Sequence, residues 1–90
     1  VSCAAALKNI EIMEREDLLG NAARVGTYFE ARLAGLSDLP LVGDVRGRKL
    51  MMCVESVANK ATKALLPDEA NESKRISDYA ESLGLMVRPL

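Results

Sequence analysis

Residues 41–57, LVGDVRGRKLMMCVESV, carry the signal that decides the predicted fold. Within this stretch, residues 42–46 and 49–57 have the apolar and β-branched composition typical of strands, and a Gly-Arg pair separates them. A two-residue connection that begins with Gly is typical of a β-hairpin. The second strand is apolar on both faces through residues 50–54, so we expect it to be central and covered on both sides.

Two helices are predicted before this hairpin. Residues 3–14 open with an Ala-rich segment of high helix propensity, and Ser2 is a suitable N-cap. Between residues 18 and 36, apolar side chains recur at steps of three and four, which predicts a second helix with one continuous apolar stripe. The stripe consists of Leu18, Ala22, Val25, Phe29, Leu33 and Leu36. We expect four of these side chains, Leu18, Val25, Phe29 and Leu33, to face the sheet.

The sequence after the hairpin predicts a loop, a helix and a last strand. Residues 58–71 are polar and contain a Pro-Asp pair, which favours an irregular surface loop. Residues 72–83 are predicted to form a third helix, Gly84 lies where a left-handed C-cap belongs, and residues 85–88 are predicted to form a third strand. The inner face of the third helix is expected to consist of Ile76, Tyr79, Ala80 and Leu83.

The resulting element order is α-α-β-β-α-β, which predicts the α+β fold class. We expect a small domain with about three strands in its sheet and helices packed on one face. Ninety residues suffice for one domain of this kind. The sequence opens without Met and stops just after the last predicted turn, so we expect it to be a piece of a larger protein.

Charge balance and missing residue types exclude several classes of function. Twelve basic and 13 acidic residues give a net charge of −1, which lacks the basic footprint of a nucleic-acid-binding domain. The longest apolar runs are far shorter than the ~20 residues of a membrane-spanning helix. No His is present, which excludes Ser-His and Cys-His nucleophile pairs and His-ligated zinc. Cys3 and Cys53 are too far apart for a CxxC motif, so we expect reduced, buried thiols in a cytoplasmic protein without nucleic-acid, membrane or metal partners.

Three stretches together resemble the C-terminal small domain of the class III aminotransferases, the pyridoxal-phosphate enzymes of fold type I. Residues 1–18 resemble the helix that follows a His-Pro pair in that family. Residues 41–55 resemble its V-G-(D/E)-x-R-G-x-G-L-M…E hairpin, and residues 83–90 resemble its G-L-hydrophobic-x-R strand. The resemblance spans essentially the whole chain, so residues 1–90 are predicted to be a fragment of that domain. Lys49 departs from the pattern, since many members carry Gly or another small residue there.

The resemblance also implies what the complete protein does. It implies an enzyme of the ω-transaminase subgroup, which moves an amino group from an amine or ω-amino acid donor to a keto acid acceptor such as pyruvate. It further implies a pyridoxal 5'-phosphate cofactor and a homodimer with active sites at the subunit interface. The family's catalytic Lys and its cofactor-binding residues lie earlier in the sequence than this stretch, so we expect the fragment alone to be inactive, with no catalytic, cofactor-binding or metal-binding residue of its own. We expect its lysines to be solvated cations: Lys8, Lys49, Lys60, Lys63 and Lys74.

Arg88 is the one candidate substrate-binding residue. It resembles the Arg that pairs with the substrate carboxylate in the amine–pyruvate subgroup, where an Arg-Pro-Leu pattern is common. A planar guanidinium offers two parallel hydrogen bonds to a carboxylate, and its long side chain can move aside for an amine that lacks one. The alternative is that Arg88 merely ends an edge strand in solvent. Arg46 and Gly47 are expected to be structural, with Gly47 in a turn that needs a positive φ.

A second function class remains open from the sequence alone. The chain fits a non-catalytic α+β interaction or regulatory domain equally well by composition, because nothing in these residues performs chemistry unaided. Flanking sequence discriminates between the two. A His-Pro pair just before Val1, together with a Lys among small residues further upstream, would favour the enzyme.

Overall fold

The computed structural model describes residues 1–89 as a mixture of helices and one β-hairpin. Helix α1 spans Ser2–Arg15 and α2 spans Leu18–Ala34, which is followed by a 3₁₀ turn at Gly35–Asp38. Strands β1 (Val42–Arg48) and β2 (Met51–Ser56) pair in the hairpin. A second 3₁₀ turn at Asp68–Ala70 precedes helix α3, Glu72–Ser82. This architecture confirms the predicted α+β class.

The prediction of a third strand is wrong. In the part of the chain that the structure describes, the sheet contains β1 and β2 alone, and residues 85–89 adopt no regular secondary structure. Their backbone groups bond to α3 instead of to a sheet: the Leu85 N–H donates to the Ala80 carbonyl, and the Val87 carbonyl accepts from the Ser77 hydroxyl. Hydrogen bonds to the preceding helix thus replace the ladder that a strand would need.

The chain forms two compact units, and the hairpin contributes to both. The first unit contains residues 1–36 and 45–53, that is, α1, α2 and the outer part of the hairpin. Helices α1 and α2 contact each other after a tight connection in which Asp17 has a left-handed backbone, with φ +50°. Gly26 on α2 is buried against the hairpin turn, where a Cβ atom would lie 2.6 Å from the Cβ of Lys49.

The apolar stripe of α2 is only partly covered. Phe29 and Leu33 are half-buried, whereas Leu18 and Val25 are 40% and 41% exposed. The expectation that Leu18, Val25, Phe29 and Leu33 face the sheet stays a prediction, and Phe29 and Leu33 are the better covered of the four. Helix α2 approaches the hairpin closely at Gly26, where a missing side chain lets the two backbones come together.

The second unit contains residues 37–44 and the chain from residue 54 onwards. Its centre is Val57, a hydrophobic side chain with 0% exposure. The Val57 N–H donates to the Leu41 carbonyl at 2.9 Å, and the side chain packs so closely on Gly43 that a Cβ there would lie 2.5 Å from its Cγ1. The predicted loop after Val57 includes an isolated antiparallel bridge between Asn59 and Ala64.

Two further observations bear on the sequence predictions. Among the described residues no helix combines the length and the apolar character that crossing a bilayer requires. Cys3 is exposed and Cys53 half-buried, both as free thiols, so the expectation of buried thiols is wrong for Cys3 because the Ala-rich start of α1 is itself exposed.

Candidate functional site

The end of α3 determines how the segment carrying Arg88 leaves the helix. The Gly84 N–H donates to the Glu81 carbonyl and the Leu85 N–H to the Ala80 carbonyl, both at 2.9 Å. This pair of bonds is the Schellman motif, which satisfies the last carbonyls of a helix and requires a positive φ at its Gly. Gly84 has φ +91°, which confirms the predicted left-handed C-cap. A Cβ at Gly84 would have no neighbour within 4 Å, so the requirement for Gly is conformational rather than steric.

A side chain of α3 holds the same segment further along. The Ser77 hydroxyl donates to the Val87 carbonyl at 3.2 Å. Since Leu85 bonds to Ala80 and Val87 to Ser77, the segment runs back along the helix that it has just left. The backbone is therefore attached to α3 immediately before Arg88.

Arg88 itself is exposed, and it has no hydrogen-bond or ion-pair partner within residues 1–89. Pro89 follows it, and a residue before Pro is biased towards an extended backbone. An attached backbone and a free guanidinium leave the side chain available to an external carboxylate. The substrate role of Arg88 stays a prediction.

The covered face of α3 differs from the predicted one. Ser73, Ser77 and Ala80 are half-buried, whereas Tyr79 is 69% exposed and Leu83 71%. Ile76 is exposed as well. The expected inner face is therefore wrong except at Ala80, because the returning segment lies against the Ser77 side of the helix.

Four of the lysines are exposed and Lys49 is half-buried, so the expectation of solvated cations is wrong for Lys49, which packs against Gly26 of α2. All five donate hydrogen bonds from their ammonium groups. Lys8 pairs with Glu11 at 2.8 Å and Lys74 with Asp78 at 2.6 Å, each with both side chains more than half exposed. Lys60 and Lys63 donate to main-chain carbonyls, and the Lys49 Nζ donates to a threonine hydroxyl at 2.7 Å. A lysine that binds an aldehyde cofactor needs a pocket that lowers its pKa by desolvation or by a neighbouring cation. The lysines of the described chain do not fit that role, and no group of acidic or cysteine side chains within residues 1–89 could hold a metal ion.

The sequence pattern of class-III aminotransferases matches residues 1–90. This chain belongs to the class-III aminotransferase family. The match confirms the resemblance carried by the three stretches around α1, the hairpin and the end of α3.

Curated proteins and solved structures match this chain over almost its whole length. A leucine/methionine racemase of Thermococcus litoralis is 41% identical over 88 residues, which are 97% of this chain and 19% of the relative. The PMP-bound form of an aminotransferase from Vibrio fluvialis matches with a TM-score of 0.85 and 38% identity, covering 98% of this chain and 20% of that one. An (S)-enantioselective omega-transaminase from Thermomicrobium roseum matches with a TM-score of 0.82 and 39% identity, covering 98% of this chain and 20% of that one. The chain thus spans about a fifth of the length of these proteins.

The hairpin of this aminotransferase chain departs from its predicted turn. The strands continue to Arg48 and resume at Met51, so the connection is Lys49-Leu50 rather than the Gly47-Arg48 pair. Lys49 has φ +55°, a conformation that Gly adopts freely and that an ordinary L-residue rarely adopts. The predicted positive φ of Gly47 is confirmed at +131°.

Helix α2 supplies the contacts that hold Lys49 in this conformation. The Lys49 N–H donates to the Glu30 carboxylate, and its Nζ donates to the Thr27 hydroxyl. Sequence analysis missed these α2 residues and Ser77, because polar residues on a helix give no signal of a partner that is distant in sequence. Lys49 at a Gly position of the family pattern was the one available sign of a local change.

A shallow depression also lies on the hairpin, with a volume of about 560 Å³. It is wide open to solvent, and it combines two guanidinium groups with sulfur-containing side chains. The lining residues are Arg46, Gly47, Arg48, Met51, Met52 and Cys53.

Proposed function

We propose that this chain is the C-terminal small-domain part of a pyridoxal-phosphate-dependent aminotransferase. The complete enzyme moves an amino group from an amine or ω-amino acid to a keto acid such as pyruvate. Family membership over the whole chain and the similarity to an omega-transaminase structure support this proposal. Family membership also favours it over the alternative of a non-catalytic interaction domain. We further propose a cytoplasmic homodimer.

The side chains of this chain indicate which part of the reaction it contributes to. When bound, the cofactor supplies an electron sink, and its lysine and phosphate-binding groups come from the part of the protein outside this chain. Because the lysines of this chain donate surface hydrogen bonds, the 90 residues contribute substrate binding rather than the chemical step. The chain alone is inactive.

The residue that performs this binding is Arg88. Its exposed guanidinium can donate two parallel hydrogen bonds to a carboxylate, and these bonds are shorter and stronger than neutral ones. No internal ion pair within residues 1–89 competes for it. The same freedom lets the side chain move away when the donor is an amine without a carboxylate. The exposed, partner-free guanidinium at the end of a backbone attached to α3 is the observation that carries this function.

The test is Arg88→Ala in the complete enzyme, with the two half-reactions measured separately. Losing a charged hydrogen-bonding partner weakens carboxylate binding by about 1.5–3 kcal/mol, which corresponds to a rise of roughly 10- to 150-fold in the KM for pyruvate. The half-reaction with a simple aryl amine should change little. Arg88→Lys keeps the positive charge but loses the planar group that donates two parallel hydrogen bonds. It should recover only part of the pyruvate affinity.

Two results would contradict the proposal. Equal losses with pyruvate and with the amine would mean that Arg88 is structural, and an unchanged KM for pyruvate would remove it from the site. Because one relative is a racemase, the same preparation should be assayed for racemisation of leucine and methionine. If the preparation racemises these amino acids and transfers no amino group to any keto acid, the proposed reaction is wrong and the activity is racemisation.

A further inference from the structure

We propose that Ser77 is a positioning residue for Arg88. Its hydroxyl fixes the Val87 carbonyl, and this sets the direction in which the Arg88 backbone leaves α3. The inference rests on the proposed function of Arg88 and adds the helix residue on which substrate discrimination depends.

Hydrogen bonds to α3 restrain the segment that carries Arg88. Residues 85–89 form no strand or helix, and the bonds from Leu85 to Ala80 and from Ser77 to Val87 attach them to α3. The Val87 carbonyl and the Arg88 nitrogen belong to one planar peptide group. Holding that carbonyl therefore also fixes the N–Cα bond of Arg88, while Pro89 restricts the backbone on the other side.

Ser77 uses its hydroxyl differently from Thr27 and Ser82. Such hydroxyls on a helix ordinarily bond to a carbonyl within their own helix. Thr27 does so to Ala23 at 2.9 Å, and Ser82 does so to Tyr79 at 2.6 Å. Ser77 instead donates to a carbonyl ten residues further along the chain. Its hydrogen bond is thus a tertiary contact and adds nothing to the helix itself.

Ser77 and Arg88 differ in how far they are exposed to solvent. Ser77 is half-buried, whereas Arg88 is exposed. In the proposed function, the guanidinium binds a carboxylate of one substrate and moves aside for an amine that has no carboxylate. This requires a backbone held in place and a side chain that is free to move. Positioning of this kind changes the affinity for the ligand that uses the side chain and leaves the other substrate unaffected.

The experiment uses the complete enzyme carrying Ser77→Ala. Losing one hydrogen bond that orients Arg88 should raise the KM for pyruvate by about 2- to 10-fold. The kcat and the half-reaction with a simple aryl amine should stay as in the wild type. Ser82→Ala is the matched control, because it removes a serine-to-carbonyl bond of the same helix that does not touch the Arg88 segment.

A second pair of variants separates the hydroxyl from packing. Ser77→Thr and Ser77→Val have the same branched shape and differ in the hydroxyl, so Thr should keep the pyruvate KM near that of the wild type and Val should raise it. This pair decides the matter even if Ser77→Ala folds poorly. In the Arg88→Ala background, Ser77→Ala should have no further effect on pyruvate, because the two residues act through one contact.

The outcomes distinguish this inference from the proposed function. If Arg88→Ala selectively weakens pyruvate binding but Ser77→Ala does not, or if the two effects add, the inference about Ser77 is wrong and the function of Arg88 stands. Equal effects of Ser77→Ala on pyruvate and on the amine would also overturn it, since they indicate a structural role. If Arg88→Ala affects both substrates equally, the proposed function fails and the inference fails with it.

Discussion

Single residues determine how helix α2 contacts the hairpin turn at Lys49. A left-handed backbone costs an ordinary L-residue roughly 1–2 kcal/mol, and Lys49 adopts one with φ +55°. Hydrogen bonds to Glu30 and Thr27 offset that cost. These contacts are possible because Gly26 has no side chain to keep α2 away from the turn. The conformation of Lys49 is therefore a tertiary effect, set by three residues about twenty positions earlier.

Gly26→Ala should destabilise this contact by about 1–3 kcal/mol, the usual range for overpacking. The new Cβ would lie 2.6 Å from the Cβ and 2.7 Å from the Cα of Lys49, and a backbone atom cannot move aside as a flexible side chain can. Gly35→Ala is the control, since a Cβ there meets nothing within 4 Å and φ is −64°. That change should be neutral or stabilise by about 0.4–1 kcal/mol. Thermal unfolding of the complete enzyme and hydrogen exchange at the hairpin turn measure the stability change caused by each substitution. Equal changes for Gly26→Ala and Gly35→Ala would show that α2 does not pack closely on Lys49.

At the scale of elements, features set by local sequence were predicted correctly, whereas features set by contacts between residues distant in sequence were not. The predicted helices over residues 3–14 and 72–83 match Ser2–Arg15 and Glu72–Ser82 closely, because propensity and periodicity act within a helix. The hairpin was predicted, but its turn moved by two residues because α2 stabilises Lys49 in a turn conformation that sequence alone assigns to Gly.

The predictions of the last strand and of the inner face of α3 were wrong for the same reason. The Ser77–Val87 hydrogen bond brings the segment back along the helix, so the residues that look extended in sequence contact α3 instead of the sheet. In the candidate site, Arg88 was found through its Arg-Pro-Leu pattern. Ser77 was not found, because a serine inside a helix gives no sign of a partner ten residues away.

Gly84→Ala tests whether the Schellman motif at the end of α3 holds the segment that carries Arg88. The Schellman motif needs φ +91° at this position, so Ala should cost about 1–2 kcal/mol although no atom blocks its Cβ. The expected result is faster hydrogen exchange at the Leu85 amide and a higher KM for pyruvate. Gly84→Asn should lose less, because Asn accepts positive φ more readily. Unchanged exchange in Gly84→Ala would show that the motif does not hold the segment.

At the scale of the whole chain, apolar surface is left uncovered on every helix. Leu7 of α1, Leu19 of α2 and Tyr79 of α3 are each about two-thirds exposed or more, whereas Val57 is fully buried. Burial contributes about 25 cal/mol per Å² of apolar surface, so side chains left in water add little to stability. The chain spans about a fifth of the length of its relatives, and exposed apolar faces of this kind are typical of surfaces that other protein covers.

The last prediction concerns the 90 residues in isolation, which should neither bind pyridoxal phosphate specifically nor transfer amino groups. Covalent capture of the cofactor needs a lysine enclosed in a pocket that activates it, whereas Lys8 and Lys74 here pair with exposed carboxylates and Lys49, Lys60 and Lys63 donate to hydroxyl or carbonyl oxygens. Incubation with a slight excess of pyridoxal phosphate, borohydride reduction and peptide mapping should find only scattered substoichiometric labelling. The complete enzyme, treated alongside, should be labelled stoichiometrically at a lysine outside this stretch. Saturable labelling of one of the five lysines here would contradict the assignment, because it would place the catalytic lysine inside this chain.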